Sequence, residues 1–432
     1  MGSPWTARAL VASCLALSLA APAAAQSIAV DRQRGEQMLD QIREDLVEHY
    51  YDPTFHGIDL DGLIDRARQR INAAQSLGEI FGLLAGVCLD LHDSHTLFMP
   101  PERVQDVRYG WSWRYVGDRA LVDWIADDSE ARRQGLRAGD TVLEVAGFTL
   151  TRGNERTISY LLSELRPQPQ LRLTVERNGV NRTLTVAPRI RTRRPRLDLD
   201  NQLDRYVAEM QEATANAGRP KPKQERLADG ALYWRLPDFF DAPGAIRKQA
   251  KTLRRSHRLV LDLRGNPGGS VGVLVQVAGL FAAKGTPVVS IRTRADREKM
   301  ATADAAAPYA GTVVVLVDSR SGSSAEVLAR FLQQRGARVV GDVTRGAVTG
   351  ARVFNHAAGE GDIRVLYAVM VTVLDVLMPD GSRLEGAGVQ PDILSLPTPD
   401  DLERGADPVL ATAAALLDVT IDPLRAGRLS RP

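Results

Sequence analysis

Two apolar runs limit what this chain can fold into. "LVLDLRGNPGGS", Leu259–Ser270, and "VVVLVDSRSGSSAE", Val313–Glu326, each pass from a short, nearly continuous apolar segment into a Gly- or Ser-rich turn and then into a helical pattern. Runs of this length, apolar on both faces, are strands buried from both sides. Around them "GALYWRLPDFF", "TPVVSIRT" and "ARVVGD" read as further strands, and "SVGVLVQVAGLFAA" and "SAEVLARFLQQRG" as helices. Strands alternating with helices predict an α/β layer with mainly parallel pairing. In such sheets, sites form beyond the carboxyl ends of the strands, where both turns lie.

At 432 residues the chain exceeds one ordinary core, and its composition is that of a globular protein, so the expectation is multidomain α/β. Residues 1–25 read as a signal peptide: Arg8, an apolar stretch too short for a membrane span, then "AAA" before Gln26. Export to the periplasm or the medium follows, with no stable membrane span. Residues 26–103 form a helical region by apolar spacing, stopped by Pro100 and Pro101, with Cys88 in its core. Residues 104–190 change to short β segments. Residues 191–226, rich in Arg, Pro, Gln and Asp, read as a linker or insertion. Residues 227–398 form the α/β core, and 399–432 a C-terminal helix and tail. The net charge of +2 is small and the basic residues are spread out, which disfavours a nucleic-acid face. The scattered histidines give no metal-ligand spacing, and no cofactor is expected.

"DSEARRQGLRAGDTVLEVAG" gives a short helix, a Gly-Leu-x-x-Gly-Asp turn and a strand ending in glycine, and resembles a PDZ domain. That resemblance implies a loop at Tyr109, Gly110, Trp111 and Ser112 that takes up a peptide's C-terminal carboxylate while the peptide adds a strand.

The leader, the PDZ-like module, "LVLDLRGNPGGS", "VVVLVDSRSGSSAEVLARFLQ", "GDVTRG" and "LMPDGSRLEGAGVQPDI" together resemble the C-terminal processing, or tail-specific, peptidases. The resemblance implies a serine endopeptidase acting on protein or peptide substrates, probing their C-terminal tails, with Ser323 as nucleophile. It also implies an oxyanion hole from backbone N–H groups at Gly268, Gly269 and Ser324. An oligomer is compatible with it.

The chain departs from that pattern at the base. The lysine that follows the Gly-acid-x-Thr-x-Gly motif is Ala347 here, and the last of six lysines is Lys299. Arg345 is no replacement, because a guanidinium stays protonated. A tricorn-protease-like branch uses Ser–His instead. Its pattern maps onto "DSHT", with His95 as base, Ser94 as its neighbour and Glu385 as the distant carboxylate. Hydroxyl, an imidazole expected near neutral pKa and a carboxylate to fix its tautomer form a sufficient set. His356 is the reserve base. The alternative is a catalytically inactive pseudoprotease that binds peptides or acts as a scaffold.

Overall fold

The computed structural model describes residues 7–103, 105–192, 222–227, 230–240, 251–295, 297–303, 308–359 and 364–431, with side chains from residue 28 onward. Most of the expected linker, residues 193–221, lies outside the described residues.

Among the described residues the central sheet has six strands. Lys223–Arg226 pairs antiparallel with Leu232–Arg235; then Arg258–Asp262, Thr312–Val317, Arg338–Gly341 and Ile393–Leu394 follow in parallel. Strand periodicity sends alternate residues to opposite faces, and both faces are covered. Leu259, Leu261, Val315 and Val317 pack with the helices Val271–Ala278 and Ser324–Gln333. Val260, Val314 and Leu316 pack with Val409, Leu410 and Ala413 of the helix Pro408–Ala415. That second cover explains why these strands carry no polar alternation.

A second, antiparallel sheet was not anticipated. Its centre is the long strand Val365–Leu377, which pairs with Thr349–Ala358, Pro287–Thr293 and the short strand Leu97–Met99. It packs against the helices Ala7–His49, Leu60–Ala73 and Leu77–Leu89 through Tyr367, Val369 and Val371. A third sheet, with Trp111–Val116 at one edge, occupies the expected PDZ-like span.

Three boundaries shift. The last N-terminal helix ends at Leu89, well before Pro100. An Asp93-centred turn stops it: the carboxylate accepts N–H groups from His95 and Thr96, both at 2.7 Å, and the hydroxyls of Thr96 and Thr372. Lys223–Arg226, expected in the linker, is a sheet strand. The helix Pro408–Ala415 is followed by another, Pro423–Ser430, whose cap residue Asp422 accepts from Leu424 and Arg425 N–H. Among the described residues no helix is long and apolar enough to cross a membrane.

Candidate active site

The strand Thr312–Val317 delivers its chain into a turn whose serines have different partners. Ser319 Oγ donates to Tyr115 O, Ser321 Oγ to Leu263 O and Ser324 Oγ to Gly269 O. Ser323 Oγ donates to no group among the described residues, and the residue is partly exposed. Its backbone stands at φ 53°, ψ −122°, outside the ordinary wells for a residue with a Cβ. Such a conformation costs on the order of 1–3 kcal/mol and persists only where its surroundings fix it. Here Ser323 N–H donates to Ala347 O at 3.0 Å and Glu326 Oε2 at 2.9 Å, and Gly322 N–H donates to Asn266 O.

Glu326 holds this turn. Its fully buried carboxylate accepts from Ser323 N–H, Ala347 N–H, Gly346 N–H and Thr344 Oγ1. Burial raises its pKa above the ordinary carboxylate value, while those four donors oppose the rise. The sequence marked Glu326 only as the residue that opens a helix; its buried role depends on the 344–347 loop folding back.

The turn after Leu259–Leu263 packs directly on the nucleophile turn. Gly268 has φ +101°, and a Cβ there would stand 2.5 Å from Ser323 Cβ and 2.9 Å from Ser324 N. Glycine alone permits this approach. The two glycines differ as donors. Gly268 N–H is taken by Asn266 Oδ1 at 2.8 Å, so it is not open to a ligand as expected. Among the described residues nothing accepts from Gly269 N–H or Ser324 N–H. Ser324 is the first residue of its helix, so its N–H has no partner within the helix.

His95 arrives from the other sheet. It is separated from Leu97–Met99 by Thr96 alone, and the pairing of that strand with Ala368–Met370 fixes the "DSHT" turn. Ser94 Oγ lies 2.6 Å from His95 Nδ1 and donates to Glu385 Oε2 at 2.9 Å. Glu385 also accepts Ser94 N–H at 2.8 Å and Val348 N–H at 2.5 Å. With the Ser94 proton given to the carboxylate, its oxygen accepts from Nδ1–H. That tautomer leaves Nε2 as the free lone pair. Thr349 Oγ1, 2.7 Å from Nδ1, is a further contact that the sequence did not reveal. Burial, then the Arg156 and Arg345 charges, lower the His95 pKa to about 3, against the opposing pull of Asp93. Burial raises that of Glu385.

The segment Ala347–Thr349 joins the two halves. Ser323 bonds Ala347, Glu385 bonds Val348 and His95 touches Thr349. The Cα atoms of Ala347 and Thr349 can be at most about 7 Å apart. No hydrogen bond links His95 to Ser323 in this structure. His356 is engaged elsewhere: its Nε2 lies 2.7 Å from Asp45 Oδ2, beside Tyr367. The Tyr109–Ser112 loop lines a cavity of about 740 Å³ whose walls include none of the residues above.

A strained serine, two unengaged N–H groups and a histidine oriented through its Nδ1 are parts that nucleophilic acyl transfer uses, though the serine and the histidine do not meet in this structure. Residues 230–395, which contain Ser323 and Glu385, match the model of peptidase family S41, and residues 31–86 match the tricorn protease C1 domain. The span 230–395 thus carries the sequence pattern of the S41, or C-terminal processing, peptidase family.

The chain is 25% identical over 400 residues to a putative tricorn protease homolog 2 of Streptomyces coelicolor, covering 88% of this chain and 32% of that one. It is 24% identical over 324 residues to a probable CtpA-like serine protease of Staphylococcus aureus, covering 71% of this chain and 58% of the relative. This chain thus spans about a third and under two thirds of those relatives' lengths. Among solved structures, mature CPAF superposes with TM-score 0.64 at 16% identity, covering 87% of this chain and 94% of that one. The photosystem II D1 C-terminal processing protease gives 0.50 at 20% identity, covering 85% and 94%. These two likenesses concern the fold.

Proposed function

We propose that this chain is an exported serine endopeptidase with a histidine base. Ser323 Oγ attacks the scissile carbonyl carbon while His95 Nε2 takes its proton. The oxyanion is held by the N–H groups of Gly269 and Ser324. Collapse breaks the C–N bond, and the leaving amine takes the proton from Nε2. Water then repeats the sequence on the acyl-enzyme. The reading is carried by one observation: the Glu385–Ser94–His95 hydrogen-bond chain, which frees Nε2 as an acceptor.

The substrate would be a protein or peptide presented by its C-terminal tail, and the span 104–190 would act as a PDZ-like module through Tyr109, Gly110, Trp111 and Ser112. Export rests on the leader-like first 25 residues. A second reading, a peptide-binding pseudoprotease, draws on Ala347 in the place of the family lysine and on the missing Ser323–His95 hydrogen bond.

The test is labelling by a fluorophosphonate and hydrolysis of an unfolded protein by wild type, Ser323→Ala, His95→Ala and His356→Ala. The expected pattern is loss in the first two variants and retention in the third. Full activity of His95→Ala would sink the base assignment. A wild type that neither labels nor cleaves supports the pseudoprotease.

A further inference from the structure

We infer that Arg345 selects substrates carrying a carboxylate beside the scissile bond, an inference that rests on the hydrolase reading above. Arg345 belongs to the loop that folds over the nucleophile turn. Its N–H donates to Ser321 O at 2.9 Å, and its Cδ lies 3.4 Å from where a Cβ on Gly322 would stand. The residue is exposed, so its aliphatic stem covers the residue before Ser323 while its charged end reaches solvent.

Among the described residues no carboxylate pairs with Arg345. The nearby site carboxylates are already engaged. Glu326 holds Ser323, Thr344, Gly346 and Ala347, and Glu385 holds Ser94 and Val348. The Arg345 charge also reaches the base, whose proton affinity it lowers together with burial and Arg156. A guanidinium placed here without an internal partner, and at some cost to the base, offers its planar fork to whatever enters the site. The matching chemistry is a carboxylate. It has two sources, an Asp or Glu side chain or a free chain end close to the cleaved bond.

Three peptides sharing one cleavable core distinguish the sources: Asp flanking the bond with an amidated end, Asn there with an amidated end, and Asn there with a free carboxylate two residues beyond. For wild type, kcat/KM should favour one or both carboxylate peptides by about fivefold, the upper end for an exposed ion pair. In Arg345→Gln the preference should fall to near unity, and in Arg345→Glu it should reverse. The same ratios are read as Kd by fluorescence anisotropy in Ser323→Ala and in Ser323→Ala/Arg345→Gln, where no turnover is needed. An unchanged ratio in Arg345→Gln overturns the inference. Cleavage without preference overturns the arginine's role alone. Preferential binding without cleavage keeps that role and overturns the hydrolase reading, and neither binding nor cleavage overturns both.

Discussion

Residue by residue, the site separates groups that react from groups that orient them. In the proposed mechanism Glu385 and Ser94 set the tautomer of His95 and act as positioning residues. Glu385→Gln keeps the shape but replaces an anionic acceptor, so Ser94 no longer has a fixed direction for its proton. Peptidase kcat should fall about 10²- to 10⁴-fold with little change in KM, as measured on a fluorogenic peptide. The acid limb belongs to His95. With its pKa lowered to about 3, the proposed base stays unprotonated down to that region, so log kcat/KM should show no His-type fall between pH 7 and 5. The same depression has a stability sign. An unfolded histidine takes a proton near its ordinary value of 6.5, whereas the folded one resists until about 3, so the unfolded state binds more protons in that window. Stability is therefore full above the upper value and declines as pH falls through the window. His95→Gln should remove this part of the acid sensitivity, seen as a smaller drop in Tm from pH 7 to 4.

At the scale of elements, two strand-to-helix turns interlock and admit no side chain between them. Gly268→Ala places a methyl at 2.5 Å from Ser323 Cβ on a backbone with positive φ. It should cost about 1–3 kcal/mol in urea unfolding and abolish fluorophosphonate labelling, because the nucleophile turn must move. These turns were legible in the sequence: apolar runs ending in Gly or Ser are local patterns. The family resemblance singles Ser323 out from its neighbours, and the structure adds a physical difference, since Ser321 and Ser324 have acceptors for their hydroxyl protons. Much less legible was how Ser94–His95 reaches the site. Its position depends on Leu97–Met99 pairing with Ala368–Met370, a contact between distant parts of the chain that no local periodicity carries. The second sheet went unread for a similar reason. Its long strand is buried over much of its length and so carries little polar alternation, even though Gly359, Gly361 and Asp362 stand just before it in the sequence. Thr349 and Glu326 acquire their roles only when the segment 344–349 folds back between the Ser323 turn and His95.

Across the whole molecule, the β domain and the central-sheet layer are joined by two polar clasps. Ser319 Oγ and Arg320 Nη2 donate to the carbonyls of Tyr115 and Trp113 on the edge strand Trp111–Val116. Arg320 also pairs with Asp123 at 2.8 Å, and Arg114 with Asp318 at 3.1 Å. A second clasp joins Arg152 and the Gly117 N–H to Asp342, both at 2.9 Å. Two edge carbonyls that an added strand would use are thereby held by the turn that carries Ser323. A peptide extending along this edge must displace Ser319 and Arg320, so strand addition and a fixed nucleophile turn compete. Asp123→Asn weakens the hold on Arg320 while leaving the strand's own pairing intact. It should lower kcat severalfold and tighten binding of a C-terminal tail peptide by a similar factor, with Tm changed little, because a partly exposed pair contributes only about 1 kcal/mol. Raising salt from 50 to 500 mM should move wild type in the same direction, since the pair is only partly shielded from solvent. Anisotropy titration of the peptide and steady-state kinetics on one preparation measure both effects. If Asp123→Asn loses activity without gaining peptide affinity, the clasp positions the nucleophile but does not compete with a ligand at the edge.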